Sequence, residues 1–381
     1  MPEGSGIPIP GTPLLRAVAA YGLPGTRPPF PTVPLPDGAW ADLLGGAGRQ
    51  RVVGLLAAAV GDGAFEVSAG QRDELADVHC ATMTRVLDIE AAAVHVVGLL
   101  GGAGVDVRVL KGLAAAHLDL PDPSQREFGD ADLLVRPSAF APAVELLVAA
   151  GLPRDLPERR AGFDRRFGKD ATVYGRSGVE IDLHRTLALG AFGMALEPDL
   201  VWDDGEPFRM GPHEVRALAP AARLVHACYS AVLGDRVPRL PALRDVAALA
   251  GRADMAADVV VRLAERGRGG SVVALGVRLA AETMGTGSSW PLSPWARARP
   301  QSRWERTALA SYESHGGTNT STLLAGVLGL STAGARLSYL SALAFPARHY
   351  LSARRDAGRP SERRQGLHEL ALGRRARRTP G

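Results

Sequence analysis

An α+β fold, a small mixed sheet flanked by N-terminal helices and a C-terminal helical domain, is what this sequence predicts on three observations. An apolar period of three to four residues runs from Trp40 to about Gly101. Between Val105 and His184 the period shortens to two. From Ala217 nearly to Arg355 the helical spacing returns. A period near 3.6 buries one face of a helix, and a period of two buries one face of a strand.

Residues 1–38, rich in Pro and Gly, read as an irregular lead-in with one short helix around Leu14–Tyr21. Residues 39–104 form an N-terminal helical segment. Its long helix starts at Ser68, an N-cap residue, and carries an apolar stripe of Leu75, Val78, Met83, Leu87, Ala91 and Val94. Gly101, Gly102 and Gly104 end it. This glycine cluster is not a phosphate loop, because it closes a helix and no Gly-Lys-Ser/Thr follows.

Residues 105–215 form the α/β core. Val105, Val107 and Val109 alternate with Asp106 and Arg108, which reads as a strand ending at Lys111-Gly112. A short helix, Leu113–Leu118, and a polar loop lead into a second strand, Phe128–Val135. After Pro137-Ser138 comes a helix with Phe140, Val144, Leu147 and Val148 on one stripe. Ala171–Tyr174 and Val179–His184, joined by four residues, read as a hairpin. Residues 216–355 form the helical domain, with helices at Ala221–Leu233, Pro241–Ala250, Ala256–Arg266 and Val272–Thr283. Residues 356–381 form a basic, flexible tail.

Charge sharpens this division. Of 44 basic residues only Lys111 and Lys169 are lysines, and from Ala347 onward ten arginines face three acidic residues. The basic pI therefore belongs to the tail, and the body is mildly acidic, which argues against a nucleic-acid-binding surface over the body. Cys80 and Cys228 offer neither a disulfide framework nor zinc spacing and read as buried helix residues. The N-terminus lacks a charged start followed by an apolar stretch, and the longest uncharged run, Gly316 to Ala335, is too interrupted for a membrane span, so a cytoplasmic location is expected.

The chemistry concentrates in the core. Asp130 and Asp132, two apart on a predicted strand, present both carboxylates to one face. In Val179-Glu-Ile-Asp-Leu-His184 the apolar residues alternate with Glu180, Asp182 and His184, so Asp182 centres a polar face. Three carboxylates brought together repel unless cations neutralise them, and two divalent ions can clamp an in-line displacement at phosphorus. Lys111-Gly112, at a strand-to-helix junction, suits a phosphate: backbone N–H groups are free there, Gly112 allows close approach and Lys111 adds charge. Arg126 could pair with phosphate or with Asp130. The plainer alternatives are an exposed Lys111, a structural His184, and packing ion pairs at Arg244-Asp245.

The runs Val109-Leu-Lys-Gly-Leu-Ala, Arg126-Glu-Phe-Gly-Asp-Ala-Asp-Leu-Leu-Val135 and Val179-Glu-Ile-Asp-Leu-His184, in this order, resemble the uncharacterised nucleotidyltransferase family of the polymerase-beta-like superfamily. Members often sit in bacterial peptide and natural-product gene clusters. The likeness covers most of the chain from Trp40, including His226, Leu243-Arg-Asp-Val246 and Arg336 to Pro346. It implies a minimal nucleotidyltransferase core in which Asp130, Asp132 and Asp182 hold two Mg²⁺ ions and carry catalysis. Lys111, Gly112, Arg126 and Gly129 would contact an NTP, ATP being the expected one. Where the superfamily usually has Gly-Ser at the phosphate turn, this chain has Lys111-Gly112-Leu113, so the lysine would stand in for the hydroxyl. The implied reaction moves a nucleoside monophosphate to an acceptor, a peptide or small molecule in preference to an RNA. A kinase-like transfer at the same site and a non-catalytic nucleotide-binding partner are the alternatives.

Overall fold

The computed structural model describes residues 10–287, 289–313 and 320–357. Residues 358–381 of the Arg-rich end and residues 316–319 of the uncharged run lie outside them. The architecture is mixed α+β, with six strands in one sheet and helices before and after it.

The strands are β1 (Val107–Val109), β2 (Ala131–Val135), β3 (Asp170–Tyr174), β4 (Glu180–His184), β5 (Glu206–Met210) and β6 (His213–Ala217). Their spatial order is β3-β4-β2-β1-β6-β5. β2 runs parallel to β4 and β1 parallel to β6; the other neighbours are antiparallel. The hairpin β3–β4 is where the alternation places it. The hairpin β5–β6 was not anticipated. Its two-residue turn, Gly211-Pro212, joins the pair Met210 and His213 with Gly211 at φ 56°, and a glycine first in such a turn is a hairpin signal.

Alternation divides the sheet into two unlike faces. Ala131, Leu133 and Val135 of β2, Ile181 and Leu183 of β4, and Ala171 and Val173 of β3 share one core with the C-terminal half of helix Ala69–Gly102 and with helix Pro137–Ala149. The opposite face carries Asp132, Asp182, His184, Asp170 and Thr172. A second and larger core unites the first helices with the last: Leu15, Val18, Trp40 and Leu56 lie with Leu224, Leu243 and Val273. The N-terminal helices are thus packed on the C-terminal ones. The lead-in helix, Pro13–Ala20, is buried in that core and capped by Thr12.

Helix Ala69–Gly102 begins with a capping box, in which Ser68 and Gln71 each accept the other's backbone N–H at 3.2 Å. Its buried face is Leu75, Val86, Ile89, Ala93, Val96 and Leu100. Only Leu75 of the expected stripe is among them, and Leu87 is 64% exposed. A 34-residue helix with little net amphipathicity has several apolar lines to choose from, and its packing partners chose another. Val148 is likewise exposed, while Phe140, Val144 and Leu147 are buried. Cys228 is buried as expected but Cys80 is exposed. No helix among the described residues is long and apolar enough to cross a membrane.

Candidate active site

Strand register assembles the site. Asp132 of β2 lies directly beside Asp182 of β4, and Thr172 of β3 lies across from Asp182 on its other side. Asp170 is opposite His184. Neighbouring strands are about 4.8 Å apart, so these side chains share one patch. An oxygen of Asp132, an oxygen of Asp182 and a ring nitrogen of His184 all lie within 4.8 Å of one another.

Asp132 is the most tightly held member. Only 3% exposed, its Oδ1 receives the Lys111 ammonium and lies 2.7 Å from His184 Nε2. Burial pushes its carboxyl up, but Lys111 and then His184 outweigh this and hold it well below the ordinary carboxylate range. His184, fully buried, therefore orients Asp132 rather than Asp182, to which the sequence reading had joined it. Asp182, half-buried, accepts a hydrogen bond from Thr172 Oγ1 at 2.5 Å. Glu180 is exposed and does not line the cleft.

Asp130 does not sit on the strand. β2 begins at Ala131, and Gly129-Asp130 form a bend before it, so alternation is not what brings Asp130 to Asp132. It reaches the same cleft from the bend. Burial, then the neighbouring Asp132, raise its carboxyl above the ordinary value, with Asp182 adding to the effect. Three mutually repelling carboxylates on one cleft wall, with His184 bracing one of them, fit a divalent cation. Oxygen-rich donors favour a hard ion such as magnesium.

Lys111 has φ 43°, a left-handed conformation rare outside glycine. The kink ends β1 and starts helix Lys111–Leu118, whose first turn has no side-chain cap. Gly112 lines the cleft and also has a packing reason to be glycine: a side chain there would meet the Phe128 Cβ at 2.6 Å. Arg126 lines the cleft, but its guanidinium is committed to Asp245 through bonds of 3.0 and 2.7 Å and to the Glu127 carbonyl, with Asp130 acting on it only from a distance. Arg244 donates to the carbonyls of Ala19 and Tyr21, a packing role.

The cleft has a volume of about 580 Å³, within the usual range for small-molecule sites. Two residues on its wall escaped the sequence reading. Arg51, also left-handed at φ 56°, closes helix Asp37–Gln50 and projects over Gly129, where an added Cβ would stand 2.6 Å from its Nη2. The next helix, Val53–Gly61, has its start tied to the bend before β2, because Glu127 accepts the Gly54 N–H at 3.0 Å. That carboxylate at a helix N-terminus fixes Arg51 relative to the acidic strand. Lys169 pairs with Asp170 at 2.5 Å. The sequence singled out Lys169 only for being a rare lysine, and nothing in the spacing around Arg51 could have placed it 79 residues ahead of Asp130.

Once these pairs are counted, the cleft has a remainder. Among the described residues Asp130, Asp182 and Arg51 make no direct ion pair, although Arg51 and Lys111 offset part of the rise at Asp130 from a distance. Carboxylates and a guanidinium that are not directly paired thus share one wall.

An antigenic nucleotidyltransferase-like protein from Paracoccidioides brasiliensis is 15% identical, with 56% of this chain and 95% of that chain covered at a TM-score of 0.35. A tRNA-processing enzyme complex is 12% identical, with 66% and 74% covered at a TM-score of 0.20. Scores this low carry no argument about chemistry. No curated protein matches the chain. The model of the uncharacterised nucleotidyltransferase family matches residues 36–285, well over half of the chain and including Asp130, Asp132 and Asp182. The chain belongs to the uncharacterised nucleotidyltransferase family.

Proposed function

We propose that this protein transfers a nucleotidyl group from a magnesium-bound NTP, ATP first among the candidates, to an acceptor nucleophile with release of pyrophosphate. The observation that carries this reading is the remainder of the cleft: Asp130, Asp182 and Arg51 line it without a direct ion pair of their own. When bound, two divalent ions would neutralise the carboxylates, polarise the α-phosphate and acidify the acceptor hydroxyl.

Asp130, Asp132 and Asp182 would hold those ions, with His184 and Lys111 keeping Asp132 ionised and oriented. The acceptor oxygen forms a bond to the α-phosphorus while the bond from that phosphorus to the bridging oxygen breaks. The acceptor's proton passes to Asp182, whose other contact is the Thr172 hydroxyl. The electron pair leaves on pyrophosphate, whose charge Arg51 and Lys111 meet. Little covalent work falls to the protein; placement and charge compensation lower the barrier. Lys111 already contacts Asp132, so it is a shared cation that can turn from carboxylate to phosphate. Arg126 enters this reading as a brace between the core and helix Leu240–Ala250. Gly112 and Gly129 serve it by making room for Phe128 and Arg51.

In this reading residues 105–215 carry the chemistry, while residues 39–104 and 216–355 wall the cleft. Residues 1–38 and 356–381 are assigned no part in the chemistry. A peptide or small metabolite is the preferred acceptor, in a cytoplasmic setting where NTP and magnesium are abundant. Incubation with each labelled NTP, magnesium and a panel of acceptors, read by mass spectrometry, tests the proposal. A nucleoside-monophosphate increment with pyrophosphate is expected. A phosphate increment with nucleoside diphosphate would instead make it a kinase, and metal-dependent ATP binding without turnover over the whole panel would leave a nucleotide-binding partner.

A further inference from the structure

A second cavity adjoins the cleft on the far side of Lys111. It lies between helix Lys111–Leu118, helix Pro220–Leu233 and helix Leu240–Ala250, and shares Lys111, Arg126, Ser230 and Ala242 with the cleft. Its volume is about 110 Å³. Most of its wall is aliphatic, Ala114, Ala115, Ala227 and Leu249 among the contributors.

Its charges are already matched. Arg126 is held by Asp245, and Arg223 by Asp119 and by Glu206 at 2.7 Å. One polar group is not matched. His226 lines the cavity at 3% exposure, and its Nε2 has no hydrogen-bond partner among the described residues. Buried polar atoms are nearly always satisfied, so an orphan imidazole nitrogen facing a cavity points to something that fills it. Burial, then the Lys111 ammonium, hold this imidazole well below its usual pKa, so it is neutral and offers one donor or one acceptor according to tautomer.

We propose that this cavity is a second ligand site, for a compact uncharged aliphatic group bearing one hydrogen-bonding function that meets His226. Size sets the upper limit: an apolar cavity of about 150 Å³ accepts benzene, so this one suits a branched group of four or five heavy atoms. Chemistry sets the rest. A charged group would have to compete with the existing ion pairs, and a nucleobase would find no aromatic wall to stack on. A primary amide fits either imidazole tautomer, since it both donates and accepts.

The probe is propionamide, titrated into the full-length protein while the His226 Cε1–Hε1 resonance is followed by NMR. Loss of the peak in His226→Gln assigns it. A saturable shift is expected with propionamide and none with propionate. Filling the space with Ala227→Leu, or with Ala115→Val should the first variant melt early, is expected to weaken binding at least tenfold. Asp182→Asn, which alters only the neighbouring cleft, is expected to bind the probe as the parent does. Absence of a saturable shift would mean that water alone fills the cavity and would overturn the proposal. So would binding that survives both filled variants, or binding lost in Asp182→Asn, which would make the cavity part of the cleft. None of these readings requires turnover of any nucleotide.

Discussion

Two clusters of buried charge flank helix Lys111–Leu118, and they differ in what is left over. On one side Arg223 meets Asp119 and Glu206, Arg252 meets Asp254 and Glu206, and Arg126 meets Asp245. Every guanidinium there has its carboxylate. On the other side Lys111 meets Asp132 and Lys169 meets Asp170, yet Asp130, Asp182 and Arg51 make no direct ion pair among the described residues. The first cluster is closed and joins the sheet to the C-terminal helices. The second is open toward a ligand. Buried ion pairs as such say little about function, because closed pairs are as often structural. The unpaired remainder is the informative quantity.

The widest separation between the two clusters should appear on substitution of one member of each. Asp182→Asn is expected to lower nucleotidyl transfer by about 10³-fold or more, with thermal unfolding close to that of the parent, since asparagine can still accept from Thr172. Arg223→Ala is expected to do the reverse. Stranding Asp119 should cost about 3–5 kcal/mol of stability, measurable by urea unfolding, while the folded fraction keeps its activity within a few-fold. Equal losses of activity in the two variants would erase the distinction.

Metal binding provides the next measure. Ten millimolar magnesium should raise the melting temperature of the parent protein, by about 2.7 kcal/mol of stabilisation when the ion is at 100 times its Kd. Chelation should remove both that shift and all transfer. Asp132→Asn should show no magnesium shift at any concentration, whereas Arg223→Ala should keep it.

Arg51 allows a finer test. A hydrogen bond to a charged group contributes about 1.5–3 kcal/mol, so Arg51→Ala is expected to raise KM for the NTP by roughly ten- to a hundredfold. Gly129→Ala should show the same defect, because a Cβ at 2.6 Å from Nη2 displaces the same guanidinium. If Gly129→Ala behaves as the parent, Arg51 is not seated on the glycine in solution. The smallest effect is expected at His184. Residues that orient a metal ligand typically change affinity by about 10–100-fold, and His184→Gln, which retains a donor toward Asp132, should fall at the low end by magnesium titration.

Much of this site could be read from residue order alone, and the reason is local. Period-two alternation puts Asp132 and Asp182 on the faces opposite their apolar neighbours, and that decision needs only the residues on either side. The α+β division, the β3–β4 hairpin and the Ser68 cap were legible for the same reason. Asp130 was named as a site residue, but its place off the strand was not legible, because Gly129 bends the chain just before β2 and a bend breaks the periodicity on which the inference rested. The stripe on helix Ala69–Gly102 was misplaced because a long, weakly amphipathic helix takes its buried face from its partners.

What the sequence by itself determined was therefore the pair of acidic strands, the lysine at the strand-to-helix junction and the order of helical and extended segments, all set by backbone geometry over a few residues. Tertiary structure alone decided that the first helices pack on the last, that β6 enters the sheet beside β1, that His184 braces Asp132, that Arg126 goes to Asp245, and that Arg51 stands over Gly129. Each of these joins residues far apart in the chain, and such contacts follow from burying large apolar faces together and from pairing the charges that burial strands. No local pattern records either requirement.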